Sequence, residues 1–123
     1  MVSPGGLPFE VSRFIATHIT NIEQLEILDF LLRYSSRLWS PEAIALRLRT
    51  SAAVVTRRIA PLVEDGLVAR RQNEPPRYQY SPRNTTLDEM VRAALLLHGQ
   101  RKADVIAEIC ARPNVSNWPG RRR

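Results

Sequence analysis

A single cysteine, Cys110, leaves this chain unable to close an internal disulfide or to assemble a cysteine-ligated zinc site. No apolar run approaches the roughly 18 residues that a membrane span requires; the longest, residues 93–97, is far too short. The 5 glycines do not fall in a phosphate-binding spacing, and His18 and His98 are far apart and belong to no metal-ligand pattern. No nucleophile stands beside a base. Enzymatic chemistry and a bound cofactor are therefore not expected. Lysine is nearly missing as well, since all but one of the 18 basic residues are arginine. That bias suits bidentate contacts to phosphate or guanine, and it follows equally from a biased genome composition.

What is present bounds the answer further. A length of 123 residues suits one compact domain with a real core plus a short arm or tail, and 44% hydrophobic with 24% charged residues is ordinary for a globular protein. A net charge of +6 and a pI near 10.7 favour a polyanionic partner, because neutralised phosphates release counterions. The first residues, with Pro4, Gly5, Gly6 and Pro8, lack a basic start followed by a long apolar stretch. We therefore expect no secretory signal and a cytoplasmic location.

Along the chain, residues 1–8 have turn formers and no periodicity, and are expected to form a flexible arm. Phe9, Phe14, Ile15 and Ile19 suit a short amphipathic helix. Thr20 and Glu23 then read as a capping box opening a second helix, whose apolar face carries Ile22, Leu25, Ile27, Leu28, Leu31 and Leu32. Ser40 followed by Pro41 and Glu42 marks the start of a short third helix, buried through Ile44, Ala45 and Leu48. Thr50 and Ser51 cap a fourth, in which Val55, Ile59 and Leu62 recur at helical spacing until Gly66 closes it. Pro61 sits inside this helix and predicts a bend near Arg57 and Arg58. Beyond Gly66 the pattern turns to strand. A hairpin is expected with Tyr78 and Tyr80 on its inner face and a turn cluster from Gln72 to Pro76, too long and proline-rich for a two-residue turn. Thr85 or Thr86 then caps a final helix of about two dozen residues across 84–111, and 112–123 is expected to be a disordered basic tail ending in Arg121, Arg122 and Arg123.

Helix, short helix, turn, helix and strand-loop-strand is the order of a winged helix-turn-helix. The residues carrying the resemblance are Trp39 to Ala45, then Leu48 and Ser51, then Val55, Ile59 and Leu62, and finally Glu64 to Val68. About residues 22–82 resemble the MarR-, PadR- and ArsR-like bacterial transcriptional regulators. The fold class implied is mainly α with a small β-hairpin wing: a winged helix-turn-helix over 9–83 followed by the long C-terminal helix. The resemblance implies sequence-specific binding of double-stranded DNA, with the fourth helix in the major groove and the wing on the backbone or minor groove.

With Val55, Ile59 and Leu62 facing the core, Ala52, Ala53, Thr56, Arg57 and Ala60 face outward. Under the resemblance Arg57 takes a guanine edge, Thr56 a base edge or phosphate, and Ala52 or Ala53 a thymine methyl, while Ser51 offers its hydroxyl and nearby amides to a phosphate. Arg70, Arg71 and Arg77 flank the wing, where basic residues also protect sheet edges from aggregation. Arg47 and Arg49 are within reach of phosphates. Trp39, Tyr78 and Tyr80 are expected in packing rather than base stacking, and Cys110 has no neighbour that would make it a redox trigger.

The last helix has more apolar stripes than one intramolecular contact needs. Leu87, Met90, Val91, Leu95, Val105, Ile106 and Ile109 are the expected homodimer contacts, and two-fold symmetry would present two recognition helices to a pseudo-palindromic site. The alternative is a winged-helix module that binds another protein. The residues identify no small-molecule effector.

Overall fold

A computed structural model describes residues 7–73 and 75–111. Residues 1–6 of the expected arm, Glu74, and the tail 112–123 lie outside the described residues. The elements run α1 (Phe9–His18), α2 (Ile22–Arg33), α3 (Pro41–Leu48), α4 (Ala52–Glu64), β1 (Val68–Asn73), β2 (Pro76–Tyr80), α5 (Thr85–Gln100) and α6 (Lys102–Ala111). The chain is mainly helical with a small antiparallel hairpin, as expected. Among the described residues no helix is long and apolar enough to cross a membrane.

Four helices begin on a side chain that accepts the third amide of its own first turn. Asn21 accepts from Gln24 N (3.0 Å), Ser40 from Ala43 N (3.1 Å), Ser51 from Val54 N (3.2 Å) and Asn84 from Leu87 N (2.9 Å). Each such cap contributes about 1 kcal/mol by satisfying an amide that has no partner within the helix. Two of these caps correct the sequence reading. Asn21 rather than Thr20 opens α2, because the Thr20 amide and hydroxyl both donate to Gln24 Oε1 (2.7 and 3.2 Å) and its side chain is occupied there. Asn84 rather than Thr85 or Thr86 opens α5, and both threonines become helical residues.

Every helix turns two or more buried side chains inward, α6 through Val105 and Glu108. The core joins Val11, Phe14 and Ile15 of α1 to Leu25, Leu28 and Leu31 of α2, Ile44 of α3, Val55, Ile59 and Leu62 of α4, Val68, Tyr78 and Tyr80 of the hairpin, and Val91 and Ala94 of α5. At about 1.5–3 kcal/mol for each large side chain, this burial is the main force holding the elements together. Leu7 is fully buried as well, so the anchored chain begins inside the stretch expected to be a free arm.

Two further expectations are corrected. The long C-terminal helix is broken: Arg101 leaves helical geometry (φ −134°, ψ 55°), and its carbonyl accepts from Asp104 N and Val105 N to start α6. The break lets Val105 turn into the core as α6 folds back to pack on α1 and α5, a contact that a straight helix of that length would carry away from the body. The hairpin connection is also shorter than expected. Asn73 pairs with Pro76, so only positions 74 and 75 lie between the strands.

Pro61 does not divide α4, which runs from Ala52 to Glu64. A proline removes the hydrogen bond to the carbonyl four residues earlier, here that of Arg57. Both residues lie on the exposed side, where water can satisfy that carbonyl.

Candidate nucleic-acid interface

The α3–α4 pair is set by its connection. Arg49 caps α3 in the left-handed region (φ 60°, ψ 48°), a conformation that costs a non-glycine residue about 1–2 kcal/mol, and Thr50 N returns to the Ala45 carbonyl (2.9 Å). Ser51 then starts α4 in extended geometry. From this start Val55, Ile59 and Leu62 face the core, as their spacing predicts, and Ser51, Ala53, Thr56, Arg57 and Ala60 are exposed. Ala52 is half-buried. The exposed face is narrow and made of small side chains with one long cation, Arg57, which makes no hydrogen bond or ion pair among the described residues.

Polar contacts from the helical body fix this helix at two heights. Gln24, 1% exposed, donates from Nε2 to the Arg58 carbonyl (3.1 Å) while its Oε1 holds Thr20, and Glu23 Oε1 accepts from Arg58 Nε (2.7 Å). At the far end His18 Nδ1 donates to Asp65 Oδ2 (2.8 Å), joining the last turn of α1 to the cap of α4. These positioning residues were missed in the sequence. The available signal was Gln24 itself, a polar residue one turn before Leu28 on the apolar face of α2.

The hairpin carries the next group. Arg70 pairs with Tyr78 and Gln72 with Arg77, leaving Arg71 in a bulge, and Arg70 and Arg71 are both exposed. Arg70 rests its guanidinium 5.9 Å from the Tyr78 ring centroid. Arg71 donates to Gln79 Oε1 (3.1 Å) and Ser81 Oγ (3.3 Å), and Arg77 is half-buried. Trp39 adds a third backbone edge, exchanging two hydrogen bonds with Tyr78 (2.9 and 2.8 Å). As expected Trp39, Tyr78 and Tyr80 are buried, and none is displayed for stacking on a base. Arg47 is turned toward the rings of Phe30, Tyr34 and Trp39, 5.5–6.0 Å from their centroids.

Charge follows the same division. Residues 37–83 contain nine basic and four acidic side chains, whereas 7–36 and 84–111 together contain five basic and eight acidic. The positive charge of the described chain therefore belongs to the α3–α4–hairpin region.

The expected dimer contacts are not equally available. Val91 and Val105 are fully buried within the chain's own core, which removes them from any surface. Leu87, Met90, Leu95 and Ile109 are half-buried against that core and Ile106 is half-buried on α6. Leu96, 60% exposed, is the large apolar side chain that α5 leaves to solvent, and the sequence reading passed over it.

Two groups that shift in acidity, Tyr80 and Asp88, sit at the junction of hairpin and α5. The Tyr80 hydroxyl donates to Asp88 Oδ1 (2.7 Å), and Arg92 Nε donates to both oxygens of that carboxylate (3.0 and 3.1 Å). Burial and the adjacent carboxylate raise the Tyr80 phenol far above its ordinary range, and the Tyr80 hydrogen bond, with Arg92 beside it, holds Asp88 below the usual carboxylate value. Among the described residues no cluster could hold a metal ion. Comparison with protein-family models, curated proteins and solved structures finds no match.

Proposed function

We propose that this chain is a winged helix-turn-helix protein that binds double-stranded DNA with sequence preference, as a homodimeric transcriptional regulator. The observation that carries the reading is the outer face of α4. A capped helix start at Ser51 leads into Ala53, Thr56, Arg57 and Ala60, all exposed, and the excess positive charge lies in the same region. A helix bearing small side chains and one unpaired guanidinium fits a major groove about 12 Å wide without steric conflict. Arg57 then reads a guanine edge and Thr56 a base or phosphate. Ser51 and the first amides of α4 take a phosphate, favoured by the helix dipole. Arg70, Arg71 and Arg77 place the hairpin as a wing on the backbone. Pairing of two copies uses the exposed side of α5 around Leu96, with Leu87, Met90, Leu95, Ile106 and Ile109 as the remaining apolar contributors.

Selection of bound sequences from a random duplex library tests the reading, followed by titration of the selected site at several salt concentrations. A two-fold symmetric motif is expected, with affinity falling steeply as salt rises. Arg57→Ala should lose about 1–3 kcal/mol of discrimination at one base position, whereas Arg70→Ala should weaken all duplexes alike and reduce the salt slope by about 1. No enriched motif together with salt-independent binding would overturn the proposal in favour of a protein-binding module.

A further inference from the structure

Behind the α3–α4 turn, on the side facing α2 and α5, lies a cavity of about 400 Å³. It adjoins a second of about 190 Å³ that shares Glu26, Leu48 and Arg49 and reaches Thr50 and Val54 at the start of α4. The first is within the size range of small-molecule sites. Its lining carries charges of both signs, and most are already committed. Arg33 pairs with Asp29 (3.3 Å), and Arg47 lies over the Phe30 and Tyr34 rings. Among the described residues that leaves two charged side chains of the lining without a partner, the guanidinium of Arg49 and the carboxylate of Glu26.

Two further observations fall on the same space. Arg49 holds the left-handed conformation, where glycine would sit without strain, so the turn bears a backbone cost to keep a long cation at that place. His98 also lines the cavity, and its Nδ1 is shut off from solvent with no hydrogen-bond partner. Burial and the nearby Lys102 lower its pKa below the ordinary histidine value, which keeps the ring neutral. The site thus offers one free cation and one free anion beside an aromatic wall.

We propose that this cavity binds a free α-amino acid with a large apolar or aromatic side chain. The ligand carboxylate accepts from Arg49. Its ammonium donates to Glu26, and its side chain lies against Phe30, Tyr34 and Leu48. A simple organic acid would leave Glu26 facing a carboxylate, and a simple amine would leave Arg49 unmatched, so the zwitterion satisfies both ends where either half alone does not. Arg49 belongs to the turn that joins α3 to α4, so occupancy bears directly on the position of Ser51.

The test is calorimetric titration of the full chain, without DNA, using phenylalanine, phenethylamine and 3-phenylpropionate, which share one side chain and differ only in the charged ends. Phenylalanine is expected to bind in the submillimolar range and both analogues at least about tenfold more weakly, the usual consequence of losing a charge-assisted hydrogen bond. Arg49→Gly and Glu26→Gln should each weaken phenylalanine by about tenfold or more. Arg49→Gly relieves the strained backbone and should melt no lower than the parent, which separates ligand loss from unfolding, and Glu26→Gln keeps the shape of an exposed side chain. No heat from phenylalanine up to about 10 mM, equal binding of 3-phenylpropionate, or unchanged binding by both variants would overturn the proposal. Because DNA takes no part in the titration, this outcome is independent of the DNA-binding reading.

Discussion

The two regions of this protein treat most of their arginines differently, apart from Arg58, which pairs with Glu23, and Arg13, which lies over the Phe9 ring. In the helical body, Arg33 and Arg92 each pair with an acid one turn away on the same helix, at 3.3 and 3.0 Å, and Arg101, at the break before α6, pairs with Asp104 at 2.8 Å. In the α3–α4–hairpin region Arg49, Arg57 and Arg77 have no such acid, and Arg70 and Arg47 rest on aromatic rings. Pairing one turn apart adds only a few tenths of a kcal/mol to a helix and leaves little external field. Unpaired cations on one side of a small body add nothing to folding and create a field that acts on a distant polyanion. A net charge of +6 alone could not reveal this division.

The strongest way to break the comparison is to cut the tie between the regions. Gln24 reaches from α2 to the Arg58 carbonyl and holds Thr20 at its other end. Gln24→Leu keeps the volume, leaves the Thr20 amide without its acceptor and removes the buried donor to the Arg58 carbonyl. A loss of about 1–3 kcal/mol is expected in urea denaturation. If stability changes by less than about 0.5 kcal/mol, apolar packing alone joins the regions and the polar clamp is incidental.

Next in size is the junction of the hairpin with α5. Tyr80→Phe removes the donor to Asp88 and should cost about 1.5 kcal/mol near neutral pH, since the acceptor is charged. Its pH dependence follows from the directions of the two shifts. Tyr80 is raised in the folded state, so its contribution is complete below the unfolded value near 10 and fades as pH climbs beyond it. Asp88 is lowered, so its contribution is complete above about pH 4 and is lost as pH falls through the folded value. The variant should show a flatter alkaline limb than the parent in denaturation at pH 9 and 11. Identical alkaline limbs would remove Tyr80 as the cause. In the opposite direction, Gly99→Ala should raise stability by up to about 1 kcal/mol, because the added methyl meets nothing within 4 Å and a helical glycine is entropically costly.

How far the sequence foretold this arrangement depended on the range of the forces involved. Ser40, Pro41, Ser51 and the Val55, Ile59, Leu62 stripe act within one turn, and all sit where their spacing predicts. The choice of Asn21 over Thr20 turned on Gln24, whose side chain joins Thr20 in the α1–α2 connection to Arg58 of α4. The break at Arg101 turned on Val105 finding the core against α1, a contact between residues far apart in the chain. Local periodicity therefore read Val91 and Val105 as surplus apolar surface when the fold had a use for them inside. The outer face of α4 was legible because an amphipathic helix defines its exposed side once its buried side is known. The cavity behind the turn was not, because Glu26, Arg49 and His98 come from three helices or their caps and share no spacing.

The smallest expected effect is the sharpest on the comparison itself. Asp29→Asn breaks an ion pair whose side chains are 40% and 68% exposed, and the change in stability should stay within about 0.5 kcal/mol, because water already screens the pair. Arg57→Gln should be equally silent in melting, since its exposed guanidinium makes no hydrogen bond or ion pair among the described residues. The two variants should part only in duplex binding at moderate salt. Arg57→Gln removes an unopposed cation and should lower affinity with a shallower salt slope, whereas Asp29→Asn frees Arg33 in the other region and should leave the slope unchanged within error. Equal shifts of the salt slope by both variants would mean that duplex DNA responds to total charge rather than to its placement, and the division between the two regions would then have no bearing on binding.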